Sequence, residues 1–185
     1  MNEQSSLFPL LTEAVKTEDL IERKDGLYYK KYARVPFTGI SERFWENGQL
    51  KGKINYNNGK LDGLCEMFYK NGQLEYRGNY QDGEKNGLSE EYFDNGQLQQ
   101  RRNYKNGKLE GPLEEEFHEN GQLWERTIYK NGKTDVLYES FYDNGQLECK
   151  KNYKNDENDG LWEKFDEEGR LMWSDTYKDG KLIEE

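Results

Sequence analysis

The sequence is poor in the residues on which catalytic and metal sites are most often built. Its 185 residues include one histidine, two cysteines and three prolines, and only 32% are hydrophobic. A zinc cluster needs several histidine or cysteine ligands close together. Neither a phosphate-binding loop nor a calcium loop with its distal glutamate is present. We therefore expect no metal, no cofactor and no enzymatic activity.

Long apolar segments are also missing. No run of residues approaches the roughly 20 that a membrane-spanning helix requires. The N-terminus lacks a basic stretch followed by an apolar one, so we expect no signal peptide.

Charge is plentiful but unbalanced, with 37 acidic and 27 basic residues and a net charge of -10. The surplus argues against a nucleic-acid partner, whose phosphates require basic patches, and it disfavours anionic membrane surfaces for the same Coulombic reason. It suits a basic protein partner, or it serves only to keep the chain soluble. Low hydrophobicity with high charge is typical of disorder. Aromatic residues, however, make up 14% of the chain and recur at fixed positions, which indicates a thin fold with little core.

What the chain does contain is a tandem repeat. The motif Asn-Gly-Gln-Leu occurs five times, with a sixth, altered copy. Its glycines are spaced by 24, 24, 25, 24 and 24 residues: Gly48, Gly72, Gly96, Gly121, Gly145 and Gly169. Repeats of this length stack so that each unit contacts mainly its neighbours, and together they form an extended binding surface.

Each unit has the pattern of a β-hairpin. After an opening glycine, Ile or Leu, Glu and an aromatic residue stand at alternate positions, as in Ile40, Glu42 and Phe44. A period of two indicates a strand. After the Asn-Gly turn, a second strand begins at a leucine and ends at a tyrosine six residues later, such as Leu50 and Tyr56. Because six is even, we predict that this leucine and tyrosine share one face.

The type of turn decides which residues face each other across the hairpin. A two-residue Asn-Gly turn pairs Glu42 with Lys53 and gives a ladder of ion pairs, whereas a three-residue loop with glycine at a bulge pairs Phe44 with Leu50. We favour the three-residue loop, because it gathers the five repeated positions on one face. Surface ion pairs contribute at most about 1 kcal/mol each. The two registers predict opposite faces for every side chain.

The unit Gly-Leu-x-Glu-x-Phe-Tyr-x-Asn-Gly-Gln-Leu, closed by Tyr-Lys-Asn-Gly-Lys-Leu-x-Gly, resembles the MORN repeat and is most similar to its bacterial variant. The resemblance implies an all-β fold, an elongated single-layer antiparallel sheet with one hairpin per 24-residue repeat. Many bacterial proteins of this kind are grouped as antitoxins of toxin–antitoxin pairs. Others of the wider family are tied to membranes, phospholipids or self-assembly. Six repeats cover most of the chain: 39–62, 63–86, 87–110, 111–135, 136–159 and 160–185.

Three positions depart from the pattern. Pro112 lengthens the fourth unit and should bulge the sheet, since proline removes a ladder donor. Val136 replaces an opening glycine, and Asp156 replaces a turn glycine. Before the repeats, residues 20–38 resemble a degenerate first hairpin. We predict that residues 1–19 cap the first strand, in part as a short helix with proline in its first turn.

The two cysteines, Cys65 and Cys149, lie three repeats apart. If each repeat adds two strands, this separation is about 29 Å, which is too far for a disulfide. Free thiols fit a reducing compartment, and we predict a cytoplasmic protein.

Function is sought where the units differ, because the positions that all units share are needed to build any unit. His118 stands where other units have an aromatic residue, and six equivalent glutamates do not supply the two environments of a catalytic pair. Three of the four tryptophans fall in units four to six, where they either fill a thin core or act as interface hot spots. The candidate partner-binding residues are Tyr76, Trp124, Tyr138, Trp162 and Trp173.

These features predict a non-enzymatic protein-binding repeat scaffold, of the antitoxin or immunity type, that neutralises a partner toxin. The expected partner is another protein, a basic toxin encoded nearby. A homodimer formed by pairing of exposed edge strands is a further alternative. The alternative is a membrane- or phospholipid-associated MORN adaptor.

Overall fold

A computed structural model describes residues 14–130 and 133–183. Most of these residues belong to one 14-stranded sheet in which every strand after the first follows chain order. At roughly 4.8 Å between strands, the sheet is about 60 Å long. Its strands are β1 (Val15–Lys16), β4 (Gly39–Phe44), β5 (Leu50–Asn57), β6 (Lys60–Phe68), β7 (Leu74–Gln81), β8 (Glu84–Tyr92), β9 (Leu98–Lys105), β10 (Lys108–Phe117), β11 (Leu123–Lys130), β12 (Lys133–Phe141), β13 (Leu147–Lys154), β14 (Glu157–Phe165), β15 (Leu171–Lys178) and β16 (Lys181–Ile183). The predicted single-layer, hairpin-built sheet is confirmed.

One loop joins the two strands of each unit, and the six loops are equivalent. In the first, the N–H of Trp45 donates to the carbonyl of Gln49 (2.8 Å) and the N–H of Gly48 donates to the carbonyl of Trp45 (2.9 Å). Gly48 has a φ of 84°, in the left-handed region. This is the three-residue loop with glycine at a bulge. Its prediction is confirmed, since Phe44 lies opposite Leu50.

A second bulge follows within each returning strand. The residue after the leucine, Lys51 in the first unit, is extra on its strand, so that Lys53 lies opposite Glu42 although Phe44 lies opposite Leu50. Both registers considered for the turn are therefore present, one beside the loop and the other beyond it. The same shift recurs in all six units. The prediction that the leucine and the tyrosine share a face is wrong, because the extra residue inverts the alternation between them.

The second bulge sorts the residues of each unit onto two faces. The ladder face carries the repeated Glu, its basic partner, and the aromatic–leucine pair: Glu42, Lys53, Phe44, Leu50 and their equivalents. The variable face carries positions that differ between units together with the repeated tyrosine: Ser41, Arg43, Gly52, Ile54, Tyr56 and their equivalents. The residues that the units share thus lie mostly on one side of the sheet.

On the ladder face, each basic residue lies opposite the glutamate of its own unit and that of the next. Arg101 approaches both, with Nε 3.2 Å from Glu90 and Nη1 3.6 Å from Glu115. Arg77 is 3.0 Å from Glu66. Alternating charge therefore connects neighbouring units, although pairs with a partly exposed arginine each stabilise by only about 1 kcal/mol or less.

The closing turns that the structure describes are two-residue hairpin turns with positive φ at both residues, such as Asn58 (48°) and Gly59 (81°). Asp156 adopts the glycine conformation of this turn, with a φ of 65°. At the start of the lengthened fourth unit, the four residues 110–113 lie opposite the single residue 103. At the start of the second unit, only the three residues 62–64 lie opposite the single residue 55. The bulge predicted at Pro112 is present, but units without proline have a shorter one at the same place, so the inserted residue lengthens the bulge and does not create it.

The N-terminal cap is a strand and a hairpin, which corrects the predicted helical cap. β1 pairs in parallel with β4 and a 3₁₀ turn, Thr17–Asp19, follows. No α-helix occurs in residues 14–130 or 133–183, and the start of the predicted helix falls in residues 1–13, outside this range. The β-branched Val15 suits a strand, and pairing satisfies backbone groups at the edge of β4 that would otherwise be free.

The segment after the 3₁₀ turn covers the variable face of the first units. β2 (Leu20–Glu22) and β3 (Tyr28–Lys30) form a separate antiparallel hairpin within residues 20–38. It contributes to a buried apolar cluster whose members are Leu20, Phe37, Ile54, Tyr56 and Cys65. The best-formed core of the described chain is therefore at its N-terminal end, and the later units have thinner cover.

Candidate protein-binding face

The five candidate residues from the sequence lie on or beside the variable face, but in different surroundings. Tyr76, Tyr138, Trp162 and Trp173 occupy strand positions of this face, and Trp124 is the bulged residue of unit four. Some of these rings are packed against other side chains of the chain, and others are exposed. That difference decides which of them are available to a partner.

Trp162 is the centre of an aromatic cluster in the last two units. Its ring lies 5.5 Å from that of Tyr153 and 4.7 Å from that of Tyr177. Its indole N–H donates to the carbonyl of Asn152 at 3.0 Å. The ammonium of Lys151 lies 5.1 Å above the ring centre. Trp162 therefore fills the thin core, which is one of the two roles considered for the tryptophans.

Tyr138 and Tyr76 are likewise held by neighbouring side chains. The Tyr138 hydroxyl donates to Glu125 at 2.9 Å, and burial, followed by this bond, raises the pKa of the phenol. Tyr76 is half-buried against the N-terminal cluster, with its hydroxyl 3.2 Å from that of Tyr80 and 3.3 Å from Ser89. Both rings contribute more to packing than to an open surface.

Trp124 and Trp173 are the exposed members of the set, with 46% and 43% of their surface accessible. Trp173 lies in β15 beside the exposed Met172, near the C-terminal end of the sheet. Trp124 lies in the middle of the array, with the ring of His118 6.1 Å away. An open tryptophan flanked by polar side chains is the kind of residue that anchors a protein interface.

His118 occupies the place of an aromatic residue, as its position in the repeat predicts. Its Nε2 atom is buried, forms no hydrogen bond within the described chain, and lies 3.1 Å from a carboxylate oxygen of Asp143. The contact has the distance of an ion pair but lacks hydrogen-bond geometry. It lies across the junction between units four and five.

Sequence reasoning missed the bulged position as part of the variable face. Glu148 at this position accepts from Ser140 (3.0 Å) and pairs with Lys164 (2.6 Å), both variable-face residues. A signal for this was present, because the residue after the repeated leucine is of five different types in the six units. The six residues are Lys51, Glu75, Gln99, Trp124, Glu148 and Met172.

The sulfur and acidic groups show no arrangement suited to metal binding or thiol chemistry in the described residues. Cys65 and Cys149 are both buried free thiols, and burial raises the pKa of Cys65 to about 11. Within 14–130 and 133–183, no three His, Cys, Asp or Glu side chains come together as a metal site would require. In the same residues, no helix has the length and apolar character needed to cross a bilayer.

Comparison with known proteins agrees with the repeat architecture. The model of the MORN repeat variant matches five segments that together make up more than half of the chain: 37–58, 61–82, 85–106, 113–131 and 134–155. The match does not include the hairpin of β14 and β15, although this hairpin has the same paired loop and bulge. A comparison with curated proteins finds no match. Five matched units in phase with the strands of the sheet show that the chain belongs to the MORN repeat variant family.

Proposed function

We propose that this chain is a non-enzymatic scaffold that holds another protein on its variable face and, as an antitoxin or immunity protein does, neutralises a toxin. The observation that supports the proposal is the separation of the two faces. Residues shared by the units stack the sheet on the ladder face, whereas the variable face is free to differ from unit to unit. A surface whose composition differs from one unit to the next is suited to recognise an irregular protein surface.

The charge distribution favours a basic partner. On the ladder face most glutamates have a basic residue opposite, so that little net charge remains there. Acidic side chains are concentrated locally instead, at the loops and around Trp124, where Glu91, Glu116 and Glu119 line one depression. Complementary charge raises the association rate and selects against acidic partners. Nucleic acid is repelled by the same field.

The proposal is tested by purifying the tagged chain from its native host together with what it binds. We expect a basic protein, encoded next to this chain, whose growth inhibition is relieved by co-expression. A double variant, Trp124→Ala with Trp173→Ala, should lose the partner. The matched control Leu88→Ala alters an exposed ladder-face residue and should keep it. Absence of any basic protein partner, or relief of toxicity by the double variant equal to wild type, contradicts the proposal.

Vesicle co-sedimentation distinguishes the alternative function, that of a membrane adaptor, from the protein-binding function. The chain is mixed with neutral vesicles and with vesicles containing phosphatidylserine, at low salt. Because the net charge is -10, we expect no pelleting with anionic lipid. Binding to these vesicles that survives the Trp124→Ala and Trp173→Ala changes would favour the adaptor over the protein-binding function.

A further inference from the structure

Aromatic side chains on and beside the variable face are repeatedly paired with a lysine of the chain itself. A cation above a ring is attracted by the negative face of the π system, by about 0.5–1 kcal/mol at exposed sites. The lysine nitrogen lies between 3.8 and 5.9 Å from the ring centre in these pairs: Lys51 and Lys70 on Trp45, Lys85 on Tyr76 and Tyr104, Lys151 on Tyr138 and Trp162, and Lys164 on Tyr142.

Trp124 breaks this pattern. It occupies the same bulged position as Lys51, the residue that covers Trp45 in the first unit at 3.8 Å. In unit four the order is changed, with His118 before the loop and the tryptophan after it. No lysine or arginine of the described chain lies over the Trp124 ring, and nearly half of its surface is exposed. The ring therefore presents an open face at the position from which Lys51 covers a ring in the first unit.

Carboxylates surround this open ring on both sides. One depression next to Trp124 is lined by Glu91, Glu116 and Glu119, and the depression on the other side is lined by Asp143, Glu148 and Glu167. The two lie one unit apart, roughly 10 Å, since each unit contributes two strands at about 4.8 Å.

These carboxylates are only partly neutralised within the described chain. Glu116 contacts Arg102 and Glu148 contacts Lys164. Glu91, Glu119 and Glu167 form no ion pair with a described lysine or arginine. The region therefore combines an uncovered ring with negative charge on either side of it, and both features are complementary to a cationic side chain.

We propose that Trp124 anchors a docking site for a basic segment of the partner protein, with one arginine or lysine in each of the two acidic depressions and one of these cations stacked on the indole between them. The proposal rests on the function above, in which the partner is a basic protein held by the variable face. Extended chain advances by about 3.3–3.6 Å per residue. Two basic residues three positions apart therefore match the roughly 10 Å between depressions.

The site is tested with the full-length chain and a Gly/Ser peptide that carries two arginines three positions apart. A second peptide with glutamine in place of both arginines is the control probe. Binding is followed by NMR through the indole N–H resonances, which are assigned from single tryptophan variants. We expect the Trp124 resonance to move most, the glutamine peptide to have no effect, and the shift to disappear at high salt.

Variants locate the site on this chain. Trp124→Ala should lower the affinity for the arginine peptide by about fivefold or more. The double variant Glu91→Gln with Glu119→Gln should also lower it. Trp173→Ala is the matched control, because this ring is equally exposed but lies outside both depressions, and it should bind as wild type does. Circular dichroism shows whether each variant keeps its sheet. Unchanged affinity in a folded Trp124→Ala variant, or loss in Trp173→Ala alone, overturns the proposal.

Failure of this site and failure of the proposed function have different signatures. Suppose that the wild-type chain captures the native partner, that Trp173→Ala loses it and that Trp124→Ala keeps it. The scaffold function then stands and the Trp124 anchor is wrong. If the arginine peptide binds at Trp124 while the host yields no basic protein partner, the cation site stands and the antitoxin function is wrong.

Discussion

Single residues of the closing turns have the same backbone but different surroundings. Gly59 and Gly83 both have positive φ, at 81° and 91°. A Cβ added to Gly59 would lie 2.8 Å from the Cβ of Leu27 and 3.0 Å from the carbonyl of Tyr28, whereas a Cβ on Gly83 would meet nothing within 4 Å. The difference arises because the N-terminal segment packs on the first of these turns.

We expect Gly83→Ala to lower the free energy of unfolding by about 1 kcal/mol, the cost of a left-handed non-glycine residue. Gly59→Ala should lose a further 1–3 kcal/mol or so, because the new methyl group also overpacks its neighbours. Urea denaturation measures both. Equal losses in the two variants would show that the N-terminal segment does not pack on Gly59 in solution.

The pair formed by Glu148 and Lys164 predicts a dependence of stability on pH. The hydrogen bond from Lys164 lowers the pKa of Glu148 below its ordinary value of 4.5. Between these two values the unfolded chain binds more protons than the folded one, so this contribution is present above pH 4.5 and is lost as the pH falls through the folded value. Glu148→Gln removes it. The stability difference between wild type and variant, measured by urea unfolding, should shrink from pH 6 to 3. A constant difference would contradict the assignment.

Among the elements, the residue that precedes the loop connects one hairpin to the next in three of the units. The Tyr69 hydroxyl donates to the carbonyl of Tyr92 at 2.7 Å, and Trp45 and Tyr142 form equivalent bonds to the following unit. Phe93 occupies the same position without a donor. The junction between units three and four therefore lacks a hydrogen bond that the two junctions before it have.

Reciprocal substitutions test this junction. Tyr69→Phe should reduce the free energy of unfolding by about 1 kcal/mol, the usual net value of one hydrogen bond. Phe93→Tyr should raise it by a similar or smaller amount, since the added hydroxyl can reach the next unit without displacing another group. Thermal and urea unfolding give both values. A destabilised Phe93→Tyr variant would show that the two junctions differ in geometry.

The elements also show how far the sequence determines the fold. The repeated glycines predict the three-residue loop, because only a left-handed residue closes it, and the alternation of Ile40, Glu42 and Phe44 predicts the first strand. The second bulge escapes the same reasoning, because no residue type marks it: it is Lys51 in one unit and Trp124 in another. The five candidate rings follow from the repeat. The repeat does not show which of these rings are exposed, because the lysine that covers a ring comes from a neighbouring strand.

At the scale of the whole molecule, burial is unevenly distributed along the sheet. The buried cluster is at the N-terminal end, whereas near the other end Leu171, Met172 and Leu182 are 54%, 62% and 50% exposed. In a linear array each unit is stabilised mainly by its neighbours. Local stability should therefore decline from the N-terminal units toward the last ones.

Native-state hydrogen exchange measures this decline. We expect the slowest amides in β5 to β7, and the fastest in β15 and β16. Phe37→Ala, which removes a ring from the cluster, should accelerate exchange in β4 to β6 with little effect on β15. Uniform protection along the sheet would show that the chain unfolds as a single unit.

The second bulge has a consequence for how such an array can change. Because it places most of the shared residues on one face and most of the differing residues on the other, an exchange of two whole units preserves the Glu–basic alternation wherever both units carry it. Only the order of side chains on the variable face is permuted. Duplication, deletion or shuffling of units can therefore produce new binding surfaces by recombination, without new solutions to the problem of stacking.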